Sequence, residues 1–133
     1  MTDALLKLSH LSVGYGRKMV LGDLSLEIQP GELVILIGQN GSGKSTLLKT
    51  LCGQLKPLDG EIFLSGKPLQ KLSGNEMAKE LSVVLTGRLH PELMTCEDVV
   101  STGRYPYTNR LGFLSETDRK KVHEAMELTQ VTE

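Results

Sequence analysis

Gly38, Gly43, Lys44 and Ser45 stand in the order G-x-x-x-x-G-K-S inside the run GQNGSGKST. These residue types at this spacing suit the binding of nucleotide phosphates. A loop that holds phosphate must converge several backbone N–H groups on one anion, a curvature that side chains hinder, and Gly38, Gly41 and Gly43 stand where that bending is needed. Lys44 is placed to reach the β- and γ-phosphates as a point charge, and Ser45 to offer its hydroxyl to Mg²⁺. Asn40, Ser42 and Thr46 complete the cradle, and a helix starting directly behind it adds the partial positive charge of its N-terminus.

Such a loop is credible only between a strand and a helix. Upstream, ELVILIG is a continuous apolar run rich in β-branched residues, which predicts a parallel strand buried on both faces. Downstream, Leu47, Leu48, Leu51 and Leu55 recur at helical spacing, and Gly53 followed by Pro57 marks the helix end. Ahead of the loop, the pairs Leu6/Leu8 and Leu11/Val13 and the set Leu24/Leu26/Ile28 alternate as in three strands with one face on a core, with GYGRK and QPGE as reversals. PLDG turns the chain into a further strand, EIFLSG, and LSVVLT, Leu81 to Thr86, reads as another buried strand. Ser73 with Glu76, Thr95 with Asp98, and Ser115 with Asp118 have capping-box spacing. The last pair opens a helix with Val122, Ala125, Met126 and Thr129 on one face, and no stop signal precedes Glu133.

Phosphoryl transfer also needs a carboxylate on the metal, ending an apolar strand, and a group that orients the attacking water. No such strand follows Thr86, and Glu92, Glu97 and Asp98 are the first carboxylates to consider. The loop therefore argues for nucleotide binding more strongly than for catalysis.

Bulk properties narrow the classes. A chain of 133 residues with 39% apolar and 23% charged residues has the composition of one globular domain. Its formal charge is −1 and its longest basic run is Arg119, Lys120 and Lys121, so nucleic acid is not an expected partner. Leu33 to Ile37 is the longest apolar stretch, far short of the roughly 20 residues of a membrane-spanning helix. MTDALLKL lacks the features of a signal peptide, and a cytoplasmic chain is expected. Cys52 and Cys96 form no CxxC or Cys/His cluster and read as reduced thiols.

With these residues in place, the chain resembles the ATPase subunits of ATP-binding-cassette (ABC) transporters along its whole length, and GQNGSGKST matches their Walker A form, including Asn40. The resemblance implies an α/β fold: a P-loop NTPase core of the ABC ATPase type, with an N-terminal antiparallel β-subdomain and the start of a helical subdomain. It assigns residues 1–86 to the β-subdomain and Walker A portion, and 87–133 to the Q-loop region and the beginning of the helical subdomain. Tyr15, in VGYG, takes the place of the family's A-loop aromatic, which stacks on adenine. GRYPY followed by S-x-x-D is similar to the ATPases of importers for iron-siderophore complexes, haem and cobalamin, and Arg104 and Tyr107 within it read as packing or surface residues rather than ligand contacts.

Where the family places a Mg²⁺-contacting glutamine after the strand resembling LSVVLT, this chain has Thr86, whose hydroxyl could ligate the metal without spanning the same distance. The signature motif LSGGQ, the Walker B strand, the D-loop and the switch histidine do not occur, so the chain looks like the N-terminal half of such a subunit, inactive by itself. In the family's core sheet, strands of the other half lie between the Walker A strand and the strand resembling LSVVLT. Implied cofactors are ATP and Mg²⁺. Implied partners are an integral membrane permease subunit and a second ATPase subunit, at the inner face of the cell membrane. Alternatives are a free-standing P-loop protein such as a small-molecule kinase, which would need an acceptor pocket and a second acidic site, and a non-catalytic nucleotide-binding module.

Overall fold

A computed structural model describes residues 4–87 and 93–131 of the chain. It divides into two compact units, Met1–Val83 and Val84–Glu133.

The first unit is built on an antiparallel sheet of order β2-β1-β3-β4, with β1 at Leu6–Tyr15, β2 at Lys18–Ile28, β3 at Asp59–Leu64 and β4 at Lys67–Pro68. Among the described residues two strands, not three, precede the glycine-rich loop, because Leu6–Leu8 and Leu11–Val13 belong to one strand. Between those halves the register shifts against both neighbouring strands, and His10 adopts φ 48. Three residues apart in a regular strand, Leu8 and Leu11 would face opposite ways; the bulge re-phases the strand, and both are buried.

Leu8, Leu11 and Val13 of β1 form the core with Ile62 and Leu64 of β3, Leu69, and Leu47 of helix α1, Lys44–Leu51. Helix α1 leans on this core through Leu47 and Leu51, whereas Leu48 is exposed. Leu26 is exposed too, so the alternation in β2 does not map onto burial at that position. The helix stops at Leu51, with Gly53 at φ 72 donating its N–H to the Thr50 carbonyl and the Gln54 N–H reaching the Lys49 carbonyl. This is a Schellman ending, and it leaves Leu55 outside the helix.

Two expected strands do not form. Residues 33–37 and 81–86 join no ladder, and Leu33, Ile35, Ile37 and Val84 are 88%, 72%, 88% and 98% exposed. A parallel strand takes its backbone partners wholly from its neighbours, and among the described residues none runs beside either segment. The apolar run is therefore extended but unpaired.

Helix α2, Gly74–Glu80, begins at the Ser73/Glu76 capping box. In the second unit, α3 (Cys96–Ser101) begins at Thr95/Asp98 and α4 (Glu116–Leu128) at Ser115/Asp118, each box fully formed. Helix α4 buries Val122 and Met126 and does end within the chain. Gln130 takes φ 58, and the Val131 N–H reaches the Met126 carbonyl at 2.9 Å. A glutamine in the left-handed region carries no recognisable stop signal, which is why the sequence showed none.

Between α3 and α4 a 3₁₀ segment, Thr102–Tyr107, carries Arg104. Arg104 places Nε and a terminal nitrogen 2.9 and 2.8 Å from one carboxylate oxygen of buried Asp118 and lies 3.9 Å from the centre of the Tyr107 ring. The other oxygen of Asp118 accepts from the Ser115 hydroxyl at 2.6 Å. GRYPY and S-x-x-D are thus two sides of one partly buried polar junction centred on Asp118.

Candidate nucleotide site

In the first unit the loop from Gly38 to Gly43 leads straight into α1, with Gly43 as the N-cap at φ 98. The first turn of α1 contains no acidic residue to offset the partial positive charge of its free N–H groups. Gly43 is required by more than its dihedral angle: a Cβ there would lie 2.7 Å from Val20 Cγ1 and 2.8 Å from Leu21 Cγ. The loop rests directly on β2.

Lys44 folds back over the loop, its Nζ donating to the carbonyl oxygens of Gly38 and Gln39 at 2.6 Å each, with the Ser42 hydroxyl at 3.5 Å. Behind it, the buried Thr50 hydroxyl donates to the Thr46 carbonyl at 2.8 Å, holding the first two turns of the helix together.

A cavity of about 380 Å³ opens against this loop, lined by Tyr15, Lys18, Val20, Asn40, Gly41, Gly43, Lys44, Ser45 and Thr46. Tyr15 comes from the end of β1, Asn40, Gly41 and Gly43 from the loop before α1, Lys44, Ser45 and Thr46 from the first turn of α1, and Lys18 and Val20 from β2. The structure therefore brings the sequence-predicted Tyr15 to the same cavity as the loop. Gly38 and Ser42 act from behind, through Lys44. Among the described residues the lining carries two ammonium groups and no carboxylate. An aromatic wall at one side and a cationic, N–H-rich loop at the other suit a ligand with a flat base and a polyanionic tail.

Lys18 and Val20 were not legible as site residues. The turn sequence GYGRK predicts a reversal, but only the register, with Tyr15 opposite Lys18, shows what faces the cavity.

Thr86, the candidate second metal ligand, belongs to the second unit, where it is exposed in a bend. Of the carboxylates considered for catalysis, Glu92 lies outside the described residues, and Asp98 is engaged in its capping box, accepting from the Thr95 N–H and hydroxyl at 2.8 and 2.7 Å. Glu97 sits exposed in the first turn of α3. Among the described residues no cluster of three or more His, Cys, Asp or Glu could hold a metal, and no helix is long and apolar enough to cross a membrane. Burial pushes the Cys52 thiol up, while Cys96 is exposed, and both are free.

Residues 21–133 match the family described as ABC transporter. The chain belongs to the ABC transporter family. It is 49% identical over 121 residues to "Uncharacterized ABC transporter ATP-binding protein MJ0873" of Methanocaldococcus jannaschii, covering 91% of this chain and 42% of that protein. It is 41% identical, again over 121 residues, to "Probable siderophore transport system ATP-binding protein YusV" of Bacillus subtilis, covering 91% and 44%. A solved ATP-binding subunit of an ABC transporter superposes with a TM-score of 0.77 at 27% identity, covering 96% of this chain and 51% of that one. The fold is accordingly the α/β fold of an ABC ATPase, in a family of ATP-binding ATP hydrolases. The chain spans under half the length of these two curated relatives.

Proposed function

We propose that this chain is the ATP-binding part of an ABC importer ATPase whose whole protein couples ATP binding and hydrolysis to uptake of an iron-siderophore, haem or cobalamin. The observation that carries the nucleotide reading is the convergence of Tyr15 with Asn40, Gly41, Gly43, Lys44, Ser45 and Thr46 on one cavity that no carboxylate lines among the described residues. The cargo class rests on the GRYPY and S-x-x-D segments and on the name of the YusV relative. In this reading residues 1–86 are the β-subdomain with the Walker A portion, and 87–133 are the Q-loop region with the start of the helical subdomain.

Tyr15 stacks on adenine. Gly38, Asn40, Gly41, Ser42, Gly43, Ser45 and Thr46 hold the phosphates, and Lys44 neutralises the β- and γ-phosphates. The exposed Ser45 hydroxyl offers one oxygen to Mg²⁺, a cation that commonly takes only one or two protein ligands and completes its shell with phosphate oxygens and water. Thr86 is the second candidate ligand, in place of the family's glutamine. The whole protein works at the inner face of the cell membrane with an integral permease subunit and a second ATPase subunit.

The 133-residue chain itself holds nucleotide without sustained hydrolysis, a reading supported by the lack of any carboxylate in the cavity lining. The test is titration of labelled ATP with Mg²⁺ against the parent and Lys44→Ala. Weaker binding by the variant is expected, and equal affinities would place the nucleotide elsewhere.

A further inference from the structure

Tyr15 and Lys18 are directly paired across the end of the β1–β2 hairpin. Residues opposite each other in an antiparallel ladder project to the same face. Both line the nucleotide cavity. The hairpin is held tightly at this point, because a Cβ on Gly14 would collide with the carbonyl oxygen of Lys18.

The two lysines of the cavity are differently committed. Lys44 is drawn onto the carbonyls of Gly38 and Gln39. Lys18 is exposed and forms no ion pair among the described residues. Its ammonium is the cavity's uncommitted positive charge, and it springs from the residue facing the aromatic ring rather than from the phosphate loop.

We propose that Lys18 is a second cationic contact for the bound nucleotide, drawn to the phosphate nearest the base. This rests on the nucleotide reading above. With adenine against Tyr15 and the terminal phosphates against Lys44, the first phosphate lies between the two, in the cavity that Lys18 also lines. A flexible ammonium suits this position, since it follows a single negative oxygen without requiring bidentate geometry. Lys18 thereby favours nucleotides over nucleosides and leaves the number of phosphates to Lys44.

The experiment compares ATP, ADP and adenosine binding by the parent, Lys18→Ala, Lys18→Arg, Lys18→Glu and Lys44→Ala, at low and high salt. Lys18→Ala is expected to weaken ATP and ADP alike, by about two- to fivefold at low salt, the range of a partly exposed ion pair. The loss shrinks at high salt because exposed charges are screened. Lys18→Glu weakens both nucleotides further, Lys18→Arg restores them, and adenosine is unaffected by all three. Unchanged ATP and ADP affinity in Lys18→Glu would overturn the proposal. So would an equal loss for adenosine, which would mean that Lys18 only props Tyr15. If Lys44→Ala leaves ATP binding intact, the nucleotide reading fails first, and the Lys18 proposal falls with it.

Discussion

Gly43 and Leu21 are packed so closely that a single added methyl group would sit 2.8 Å from Leu21 Cγ. The glycine-rich loop is thus seated on the β-hairpin, and its shape depends on a strand that precedes it. Gly43→Ala must both overpack this contact and hold an alanine at φ 98, costs of about 1–3 kcal/mol each. Lower thermal stability and a loss of ATP affinity of about tenfold or more are expected. Gly41 shares the positive φ, at 84, but has no neighbour within 4 Å. Gly41→Ala should therefore be the milder variant in calorimetry and nucleotide titration, and the reverse order would remove the packing argument.

Arg104 and Asp118 predict an acid sensitivity. The Ser115 hydroxyl and N–H, and then Arg104, hold the Asp118 carboxyl below the usual carboxylate range. The folded chain then binds this proton less readily than the unfolded chain, so the contribution to stability is complete above the ordinary value of about 3.9 and is lost as pH falls through the lowered folded value. Glu76 is lowered by the backbone and side chain of Ser73, and Asp98 by the side chain and backbone of Thr95, so all three boxes weaken together. Urea denaturation at pH 7 and pH 3 should show Asp118→Asn clearly less stable than the parent at pH 7, with the gap narrowed at pH 3. An unchanged gap would show that ionisation of Asp118 is not what matters.

Leu11 is fully buried where β1 resumes after its bulge. Leu11→Ala should cost about 2–5 kcal/mol, whereas Leu26→Ala, at a position 45% exposed, should stay within about 0.5 kcal/mol. Denaturant midpoints of the two variants provide the comparison. Similar losses would contradict the bulge as the device that re-phases the strand.

The exposed run Leu33–Ile37 combines β-branched and apolar residues with no charge inside it. Unpaired segments of this kind invite association between chains. Sedimentation should show concentration-dependent oligomers, reduced by Ile35→Lys. A strictly monomeric parent with a sharp cooperative melt would contradict this.

Phosphate release should stay at background in the parent chain and in Lys44→Ala alike. A single supplied catalytic group can be worth on the order of 10³ to 10⁵ in phosphoryl transfer, and the cavity lining offers no carboxylate for the metal. Sustained release by the parent that vanishes in Lys44→Ala would reveal a catalytic carboxylate elsewhere in the chain, with Glu92, Glu97 and Asp98 the first to substitute.

Local chemistry was determined by the sequence itself. The glycines and Lys44 of the glycine-rich loop, and the three capping boxes at Ser73, Thr95 and Ser115, depend on bonds reaching only a few residues along the chain, so residue type and spacing suffice to place them. Tertiary structure decided what depends on partners distant in sequence. Whether ELVILI becomes a strand is settled by neighbouring strands that supply hydrogen bonds, and apolarity alone could not settle it. The bulge at His10, which merges two expected strands into β1, exists because β2 and β3 each impose a register on the same residues. The position of Lys18 beside Tyr15, and the use of Asp118 as both a cap and the partner of Arg104, likewise arise only when chain segments meet in space. Short-range hydrogen bonds can be read from a string of residues; cross-strand register and burial are properties of the packed chain.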